Sequence, residues 1–253
     1  MTMPVAADAV AAPGAAPPRE DVPPLENGDR LTREEFERRY SAMPGLKKAE
    51  LIEGVVYIPN PVVRRDGSVA SPLFEPSHGW PHGKLMALFG VYLFETPGIH
   101  LSDNTSVRLD LDNESQPDAY LRVLEEFGGA SRVENGRYTV GAPELIAEVA
   151  SSSVSYDLGP KLQAFRRNGV REYLVWRVRD REIDWFALRG GAFERLPLTD
   201  GIYRSGFFKG LWLNVPAALN DDIPALAATA RAGLASPEHA AFVAELMQRR
   251  EPK

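Results

Sequence analysis

Cysteine is absent from this 253-residue chain. Its absence excludes disulfide bonds, thiolate zinc sites and a cysteine nucleophile, and nothing in the composition requires an oxidising compartment. Long apolar runs are lacking as well, since no window approaches the ~18 consecutive apolar residues that a membrane helix needs. We therefore expect a cytoplasmic protein rather than a secreted or membrane-spanning one.

An excess of basic residues is also lacking. Acidic residues outnumber basic residues by 35 to 29, and the formal net charge is −6. The surface as a whole gives no sign of nucleic-acid binding, although a site can be locally basic on an acidic protein. Phosphate-loop and dinucleotide-binding motifs do not occur, and no GxSxG marks a serine hydrolase.

Three parts follow one another along the chain. Residues 1–28 are rich in Ala and Pro and lack apolar periodicity, which predicts a disordered arm. Residues 29–220 alternate between strand-like and helix-like patterns and predict one α/β domain of mixed α+β type, with a mixed sheet flanked by helices. Residues 221–253 are rich in Ala and predict a peripheral helical tail.

Capping residues and apolar periodicity place the helices. Thr32 and Glu35 form a capping box that opens a helix running to about Ala42. Apolar spacing predicts a second helix over 82–95. A third helix is predicted over about 158–168, with Asp157 as its N-cap and Pro160 in its first turn.

Short β-rich runs and turn residues place the strands. A hairpin at 49–58 turns at Glu53-Gly54, and a second hairpin turns at Asn135-Gly136. Residues 61–76 are predicted to form a loop. The remaining predicted strands are 104–111, with Val107, Leu109 and Leu111 facing the core, then 119–124, 145–150, 173–178, 183–188 and 192–196.

One acid, Glu148, interrupts the apolar run LIAEVA at 145–150. A buried carboxylate is unfavourable unless it is paired, hydrogen-bonded or bound to a metal. Taken alone, Glu148 fits the exposed alternate position of a half-buried strand better, because acids usually lie on the solvated side.

Asp118 and Lys161 change that interpretation. Asp118 stands at the head of another predicted strand, so the two carboxylates can meet at one divalent cation if the strands are neighbours. Mg²⁺ suits a site with few protein oxygens and a substrate phosphate. Lys161 lies one turn into the following helix, whose side chains lean back toward the strand end. Two acids and a lysine around a metal are the groups that phosphodiester hydrolysis needs.

This pattern, PD … EVxSxS … D-x3-K … G-V-x-E-Y, resembles the Uma2 family, also called DUF820, a set of bacterial endonuclease-like proteins of the PD-(D/E)XK superfamily. The matching pieces are Pro117-Asp118, Glu148-Val149-Ala150-Ser151, Asp157 with Lys161, and Gly169-Val170-Arg171-Glu172-Tyr173. Flanking matches are Glu50-Leu51-Ile52-Glu53-Gly54, Ser77-His78 and Phe207-Phe208-Lys209-Gly210-Leu211-Trp212-Leu213. The resemblance covers about residues 30–220, and it is the order and spacing of the pieces that make it specific.

The resemblance implies a restriction-endonuclease-like core that cleaves nucleic acid, DNA more than RNA, with Mg²⁺ or Mn²⁺ as cofactor. Asp118 and Glu148 would be the metal ligands. The parent superfamily carries its lysine two residues after the second acid, where this chain has Ala150, so Lys161 would be the counterpart. Glu50 matches an additional acid that supports such sites. Asp157 also matches, but N-capping explains it.

Other interpretations remain open at this point. His78 and His82 have the spacing of zinc ligands, but no third ligand follows nearby, and contact of His78 with a substrate phosphate is the better hypothesis. The same fold could serve as a weakly catalytic binding or dimerisation module, or hydrolyse a small phosphodiester. Exposed strand edges would suit a homodimer.

Overall fold

The computed structural model of the chain describes residues 22–59, 62–63, 69–70 and 78–250. Its helices are α1 (Arg33–Ser41), α2 (Trp80–Glu95), α3 (the consecutive helical segments Val154–Tyr156, Asp157–Lys161 and Leu162–Arg167), α4 (Val215–Leu219), α5 (Ile223–Leu234) and α6 (Pro237–Arg249), with a 3₁₀ turn at Glu125–Phe127. No helix of this described part is both long and apolar enough to cross a membrane.

The strands are short and numerous. In chain order they are β1 (Glu50–Ile52), β2 (Val55–Tyr57), β3 (Val62–Val63), β4 (Val69–Ala70), β5 (Ile99–Asp103), β6 (Val107–Arg108), β7 (Glu114–Ser115), β8 (Ala119–Val123), β9 (Arg132–Glu134), β10 (Tyr138–Val140), β11 (Leu145–Ala150), β12 (Glu172–Arg177), β13 (Glu182–Arg189), β14 (Ala192–Arg195), β15 (Ile202–Arg204) and β16 (Trp212–Asn214).

Two six-stranded sheets organise the fold. The central sheet has the order β14-β13-β12-β11-β8-β5, and the second sheet has the order β2-β1-β7-β6-β10-β9. Within the central sheet β11 runs parallel to β12 and antiparallel to β8, so the sheet is mixed. All six residues of β11 are buried, as expected for a strand covered on both faces. The predicted mixed sheet flanked by helices is confirmed.

The main core lies on one face of the central sheet, and a smaller cluster lies on the other. The main cluster joins α2, α5 and α6 to the sheet through residues such as Phe89, Trp185 and Phe242. The smaller cluster packs Phe165 of α3 against Tyr173 of β12. These contacts fix α3 relative to β11, which is the relationship that the site depends on.

The end of the chain is helical as predicted, but it is not peripheral. Leu226 and Ala230 of α5 and Phe242 and Leu246 of α6 are buried in the main core. At the other end, residues 1–21 of the predicted arm lie outside the described residues, whereas Leu25 is buried in a small cluster. The division of the chain at residues 28 and 220 stays a prediction.

Most predicted central elements are confirmed: the capped helix α1, both hairpins, α2 and the meander of β12, β13 and β14. The predicted strand over 104–111 is wrong, because only Val107–Arg108 pairs and Leu111 is 74% exposed. A turn at 110–113, closed by the Asp110 carboxylate on Asp112 N and Asn113 Nδ2, interrupts the alternating pattern. Most of the predicted loop over 61–76 lies outside the described residues, where only the β3–β4 pairing is described.

The predicted start of α3 is also wrong. The helix begins at Val154, so Asp157 lies inside it with helical φ and ψ angles instead of capping its end. Pro160 consequently lies in the interior, where it cannot donate a backbone hydrogen bond. The segment Asp157–Lys161 takes a wider π-helical turn at that point, a local adjustment that often accompanies functional sites.

Candidate active site

Glu148 and Asp118 meet at one end of the central sheet. In the antiparallel pair of β8 and β11, Ala119 lies opposite Ala147, so Asp118 comes next to Glu148 where β8 begins. The backbone N–H of Val149 donates to Asp118 Oδ2 at 2.8 Å. Both carboxylates are almost fully buried. The strands are therefore neighbours, as the sequence argument required.

Lys161 lies against three acids. Its Nζ is 2.7 Å from Glu148 Oε1, 2.9 Å from Glu50 Oε2 and 3.6 Å from Asp157 Oδ1. All four side chains are at most 4% exposed. The π-helical turn places Lys161 over the end of β11, which is how helix α3 delivers an amine to the strand that precedes it.

Glu50 enters from the second sheet and links the two sheets at the site. Its Oε1 accepts hydrogen bonds from Ser115 Oγ at 2.8 Å and from the Gln116 backbone N–H at 2.7 Å, while its Oε2 faces Lys161. This carboxylate is held on both sides. Tyr57 lies opposite Glu50 in the β1–β2 ladder.

Asp118 has two further neighbours with basic nitrogens. Lys48 Nζ is 3.2 Å from Asp118 Oδ1, and His78 Nε2 is 3.2 Å from Asp118 Oδ2. His82 Nε2 contacts the backbone oxygen of Asp118 and Asp103 Oδ1, each at 3.0 Å. Each histidine is thus engaged with the segment around Asp118. Within the described residues no group of three or more His, Asp or Glu side chains is arranged as a preformed cage for zinc or any other metal ion.

The pKa shifts follow from burial and from these pairings. Burial raises the pKa of Asp118, but Lys48, His78 and the Val149 N–H outweigh it and hold the pKa well below its usual value. Burial lowers the pKa of Lys161, but Glu148, Glu50 and Asp157 outweigh it and raise the pKa well above its usual value. Lys161 is therefore an ammonium, a hydrogen-bond donor and not a base.

The pKa of Glu148 shifts in the opposite direction to the pKa of Asp118. Burial raises its pKa well above the usual value, and the charges of Asp118 and Asp157 add to the effect of burial against Lys161. Four carboxylates (Glu50, Asp118, Glu148 and Asp157) thus share the site with the amines of Lys48 and Lys161. An excess of buried acid over base is the electrostatic setting in which a divalent cation is stabilised.

These groups line one cleft of about 560 Å³. Its floor holds the acids and Lys161, and its wall includes the side chains of Asn27, Tyr57, Asn104, Gln116 and Tyr156. The volume lies within the range of pockets that bind small molecules and single nucleotides.

The structure brings together all four residues that the sequence singled out: Asp118, Glu148, Lys161 and Glu50. Sequence reasoning set Asp157 aside, although its carboxylate belongs to the same cluster. The i,i+4 spacing of Asp157 and Lys161 was a usable signal, but the expected N-cap accounted for the acid without it. The sequence did not single out Lys48 as a site residue, because its contact with Asp118 joins positions that no local pattern connects.

Comparisons with known proteins identify the family and the fold of the chain. Residues 33–216 match the model of the Uma2 family, which is described as "Putative restriction endonuclease". The chain belongs to the Uma2 family. A solved structure, that of "a putative nuclease belonging to DUF820 from Anabaena variabilis ATCC 29413", aligns with a TM-score of 0.53 over 72% of this chain and 96% of that one.

The identity between this Uma2 chain and that structure is 11%, so the likeness shows the fold alone. None of the curated proteins matches the chain. The predicted membership of the family and the predicted fold class are both confirmed. The roles of individual residues have to be argued from the site itself.

Proposed function

We propose that this protein is a Mg²⁺- or Mn²⁺-dependent endonuclease that hydrolyses phosphodiester bonds in DNA. One observation carries the proposal: Lys161 is buried among Glu148, Glu50 and Asp157, beside Asp118, on the floor of an accessible cleft. The Uma2 family description and the nuclease described for the structural neighbour support the same class of reaction.

Asp118 and Glu148 are the residues that would hold the divalent ion. Their hard carboxylate oxygens suit Mg²⁺ or Mn²⁺, which often bind through one or two carboxylates together with substrate phosphate. When bound, such an ion neutralises phosphate charge and activates water. The cluster sets four carboxylates against the amines of Lys48 and Lys161, and a bound cation would offset that surplus of acid.

The other residues of the site position one another and the phosphate, and they stabilise the charge of the transition state. The Lys161 ammonium, fixed by Glu148 and Glu50, can donate to phosphoryl oxygens where negative charge grows in the transition state. Glu50 holds that ammonium in place through its own bonds to Ser115 and Gln116. Lys48 and His78, which are 28% and 13% exposed, can contact the incoming phosphate.

The proposal is tested with two isosteric variants, Asp118→Asn and Glu148→Gln. Thermal melts are recorded with EDTA and with Mg²⁺ or Mn²⁺, and cleavage of plasmid, single-stranded DNA and RNA is followed in parallel. We expect the cation to raise the melting temperature of the wild type by mass action, and both this rise and cleavage to vanish in the variants. Glu144→Gln is the matched control, because Glu144 is a buried acid that does not line the cleft and accepts hydrogen bonds from the backbone N–H groups of Val123 and Ala130.

Undiminished cleavage by a twice-purified Asp118→Asn protein would contradict the proposal.

A second candidate, hydrolysis of a small phosphodiester, is favoured by the cleft volume of about 560 Å³. Turnover of a dinucleotide that equals or exceeds turnover of a polynucleotide would favour that candidate.

A further inference from the structure

We infer that the cleft receives an unpaired nucleotide, whose base stacks on Tyr57 while the adjacent phosphate lies at Asp118 and Glu148. This inference rests on the proposed function and names its substrate class: single-stranded DNA or RNA, or a nucleotide extruded from a duplex.

The first observation is an aromatic pair in the wall of the cleft. The rings of Tyr57 and Tyr156 have centroids 3.9 Å apart at an interplanar angle of 31°. Lys161 Nζ lies 5.3 Å from the centroid of the Tyr156 ring. Tyr57 lies opposite Glu50 in the β1–β2 ladder, so its side chain projects from the same face of the sheet as a member of the charged cluster. The aromatic pair is therefore next to the position where a phosphate would bind.

The two rings have different roles in this arrangement. Tyr156 contacts both Tyr57 and Lys161, whereas Tyr57 has no second ring or cation contact within the described residues. Tyr57 is half-buried and lines the cleft, so part of its ring is open to a ligand there. Tyr156 lines the same cleft and links the Tyr57 ring to Lys161. Aromatic faces of this kind stack nucleobases with little regard to sequence.

The second observation is a pair of unsatisfied polar atoms. The hydroxyl of Tyr156 and Oε1 of Gln116 are buried without a hydrogen-bond partner among the described residues, and both side chains line the cleft. Buried polar atoms rarely stay unpaired in native proteins, so such atoms in the wall of a cleft are suited to bind water, an ion or a ligand. An ordered water bound to these atoms can carry a hydrogen bond from them to the polar edge of a base in the cleft.

The third observation is the depth of the charged cluster. The side chains of Asp118, Glu148 and Lys161 are 7%, 3% and 3% exposed. A phosphate must therefore enter the cleft to reach them, and the cleft has the volume of a nucleotide-sized pocket. Enzymes that act on a base inside the duplex use single strands or extrude the nucleotide, and a single strand likewise enters a recessed cleft more readily than a duplex does. The net charge of −6 also argues against affinity built only on many backbone contacts.

Packing alone is the competing explanation for the aromatic pair, and binding measurements separate the two. Fluorescence anisotropy is measured with a short labelled single strand, the same sequence as a blunt duplex, and that duplex with one internal unpaired nucleotide. Ca²⁺ replaces Mn²⁺ to slow cleavage. The proteins are wild type, Tyr57→Leu, Tyr57→Phe and Phe94→Leu, the last being a control because Phe94 is an 82% exposed aromatic residue that does not line the cleft.

We expect the wild type to bind the single strand and the interrupted duplex at least about tenfold more tightly than the blunt duplex, in line with the stacking of one base. Tyr57→Leu should weaken single-strand binding by about 5- to 100-fold, the equivalent of one lost stack. Tyr57→Phe and Phe94→Leu should bind as the wild type does. Melting temperatures show that each variant is folded.

Equal binding of the blunt duplex, or unchanged single-strand binding by Tyr57→Leu, would overturn the inference. If cleavage in Mn²⁺ still depended on Asp118 in that case, the proposed function would stand without it. Conversely, single-strand binding that depends on Tyr57 in a protein with no metal-dependent cleavage would reject the proposed function and keep the binding site.

Discussion

Lys161 Nζ and Glu148 Oε1 lie 2.7 Å apart, and both side chains are 3% exposed. Neither charge could be buried at this depth alone, because an uncompensated buried ion loses its hydration. The pair forms because α3 folds back over the end of β11, on which Glu148 lies. It therefore contributes both to the folding energetics of the chain and to the chemistry that we propose for the cleft.

Replacing Lys161 with Met should destabilise the fold. The variant leaves Glu148, Glu50 and Asp157 buried without their shared ammonium, and breaking a buried ion pair from one side costs about 3–5 kcal/mol. Urea unfolding with EDTA at neutral pH measures the loss. Mn²⁺ should restore part of the lost stability if a cation can replace the ammonium's charge.

The double variant Lys161→Met/Glu148→Gln is the control for that experiment. The double variant removes one of the acids that Lys161→Met leaves unpaired. Its loss of stability should therefore be smaller than the sum of the losses in the two single variants. Strictly additive losses would mean that the contact between the two side chains does not contribute to stability.

Lys48 should oppose cation binding while it assists turnover. Its ammonium is 3.2 Å from Asp118 Oδ1, and its side chain is 28% exposed. Lys48→Met removes a positive charge next to a proposed metal ligand, so Mn²⁺ should bind several-fold more tightly. Cleavage should become slower, because the variant has lost a contact with the substrate phosphate. Calorimetric Mn²⁺ titration and a cleavage assay check the two effects.

Lys47→Met is the matched control for Lys48. Lys47 also lines the cleft, but it forms no ion pair with an acid within the described ranges. Its replacement should leave Mn²⁺ affinity unchanged. Weaker Mn²⁺ binding by Lys48→Met than by the wild type would show that Lys48 is not a competitor for Asp118.

Glu114 should give the fold a pH dependence that is separate from the site. It is buried in the second sheet, where its Oε2 lies 3.4 Å from Arg108 Nε, and Glu37, which is 2.7 Å from Arg108 Nη2, lies directly beside it. Burial and the proximity of Glu37 raise its pKa from 4.5 to about 7, against the opposing effect of Arg108. Between these two pH values the folded state holds a proton that the unfolded state has lost.

The sign of the effect follows from that difference in bound protons. The contribution of Glu114 to stability falls as the pH rises from 4.5 to about 7, by up to about 3 kcal/mol. Glutamine has the shape of the protonated Glu114 side chain but does not titrate. The stability of Glu114→Gln relative to the wild type should therefore increase as the pH rises over this range. Urea unfolding from pH 5 to pH 8 measures the difference, and the exposed Glu95→Gln serves as control. Parallel curves for wild type and Glu114→Gln would refute the assignment.

Much of the site was predictable because it depends on short-range patterns. Asp118 and Glu148 each stand in or beside a short buried strand, and Lys161 follows at helical spacing, so sequence and general chemistry are enough to bring them together. Asp157 was set aside because Pro160 ordinarily marks the first turn of a helix. The π-helical turn that accommodates Pro160 has no sequence signal of its own, and it moves Asp157 from the helix end into the cluster.

One error in the fold came from a local turn, and another from contacts between distant segments. The alternating pattern over 104–111 gave no sign that Asp110 would close a turn on Asn113 and leave Leu111 exposed. High Ala content predicted helices near the end of the chain, but propensity contains no information on what a helix packs against. Burial of α5 depends on a close approach to Gly210, in a segment that is only weakly patterned.

That approach supplies the last prediction, a test of whether α5 is part of the core. A Cβ added at Gly233 would overlap the backbone oxygen of Gly210 and come within 2.9 Å of Trp212 Cγ. Gly233→Ala should therefore destabilise the protein by about 1–3 kcal/mol, the usual cost of overpacking. Gly90→Ala in α2, where nothing lies within 4 Å of the added Cβ, should instead stabilise it by about 0.5–1 kcal/mol. Urea unfolding compares the two. An equal gain in stability from both substitutions would mean that α5 does not pack on the 210–212 segment. The helices near the end of the chain would then be peripheral, as their composition suggested.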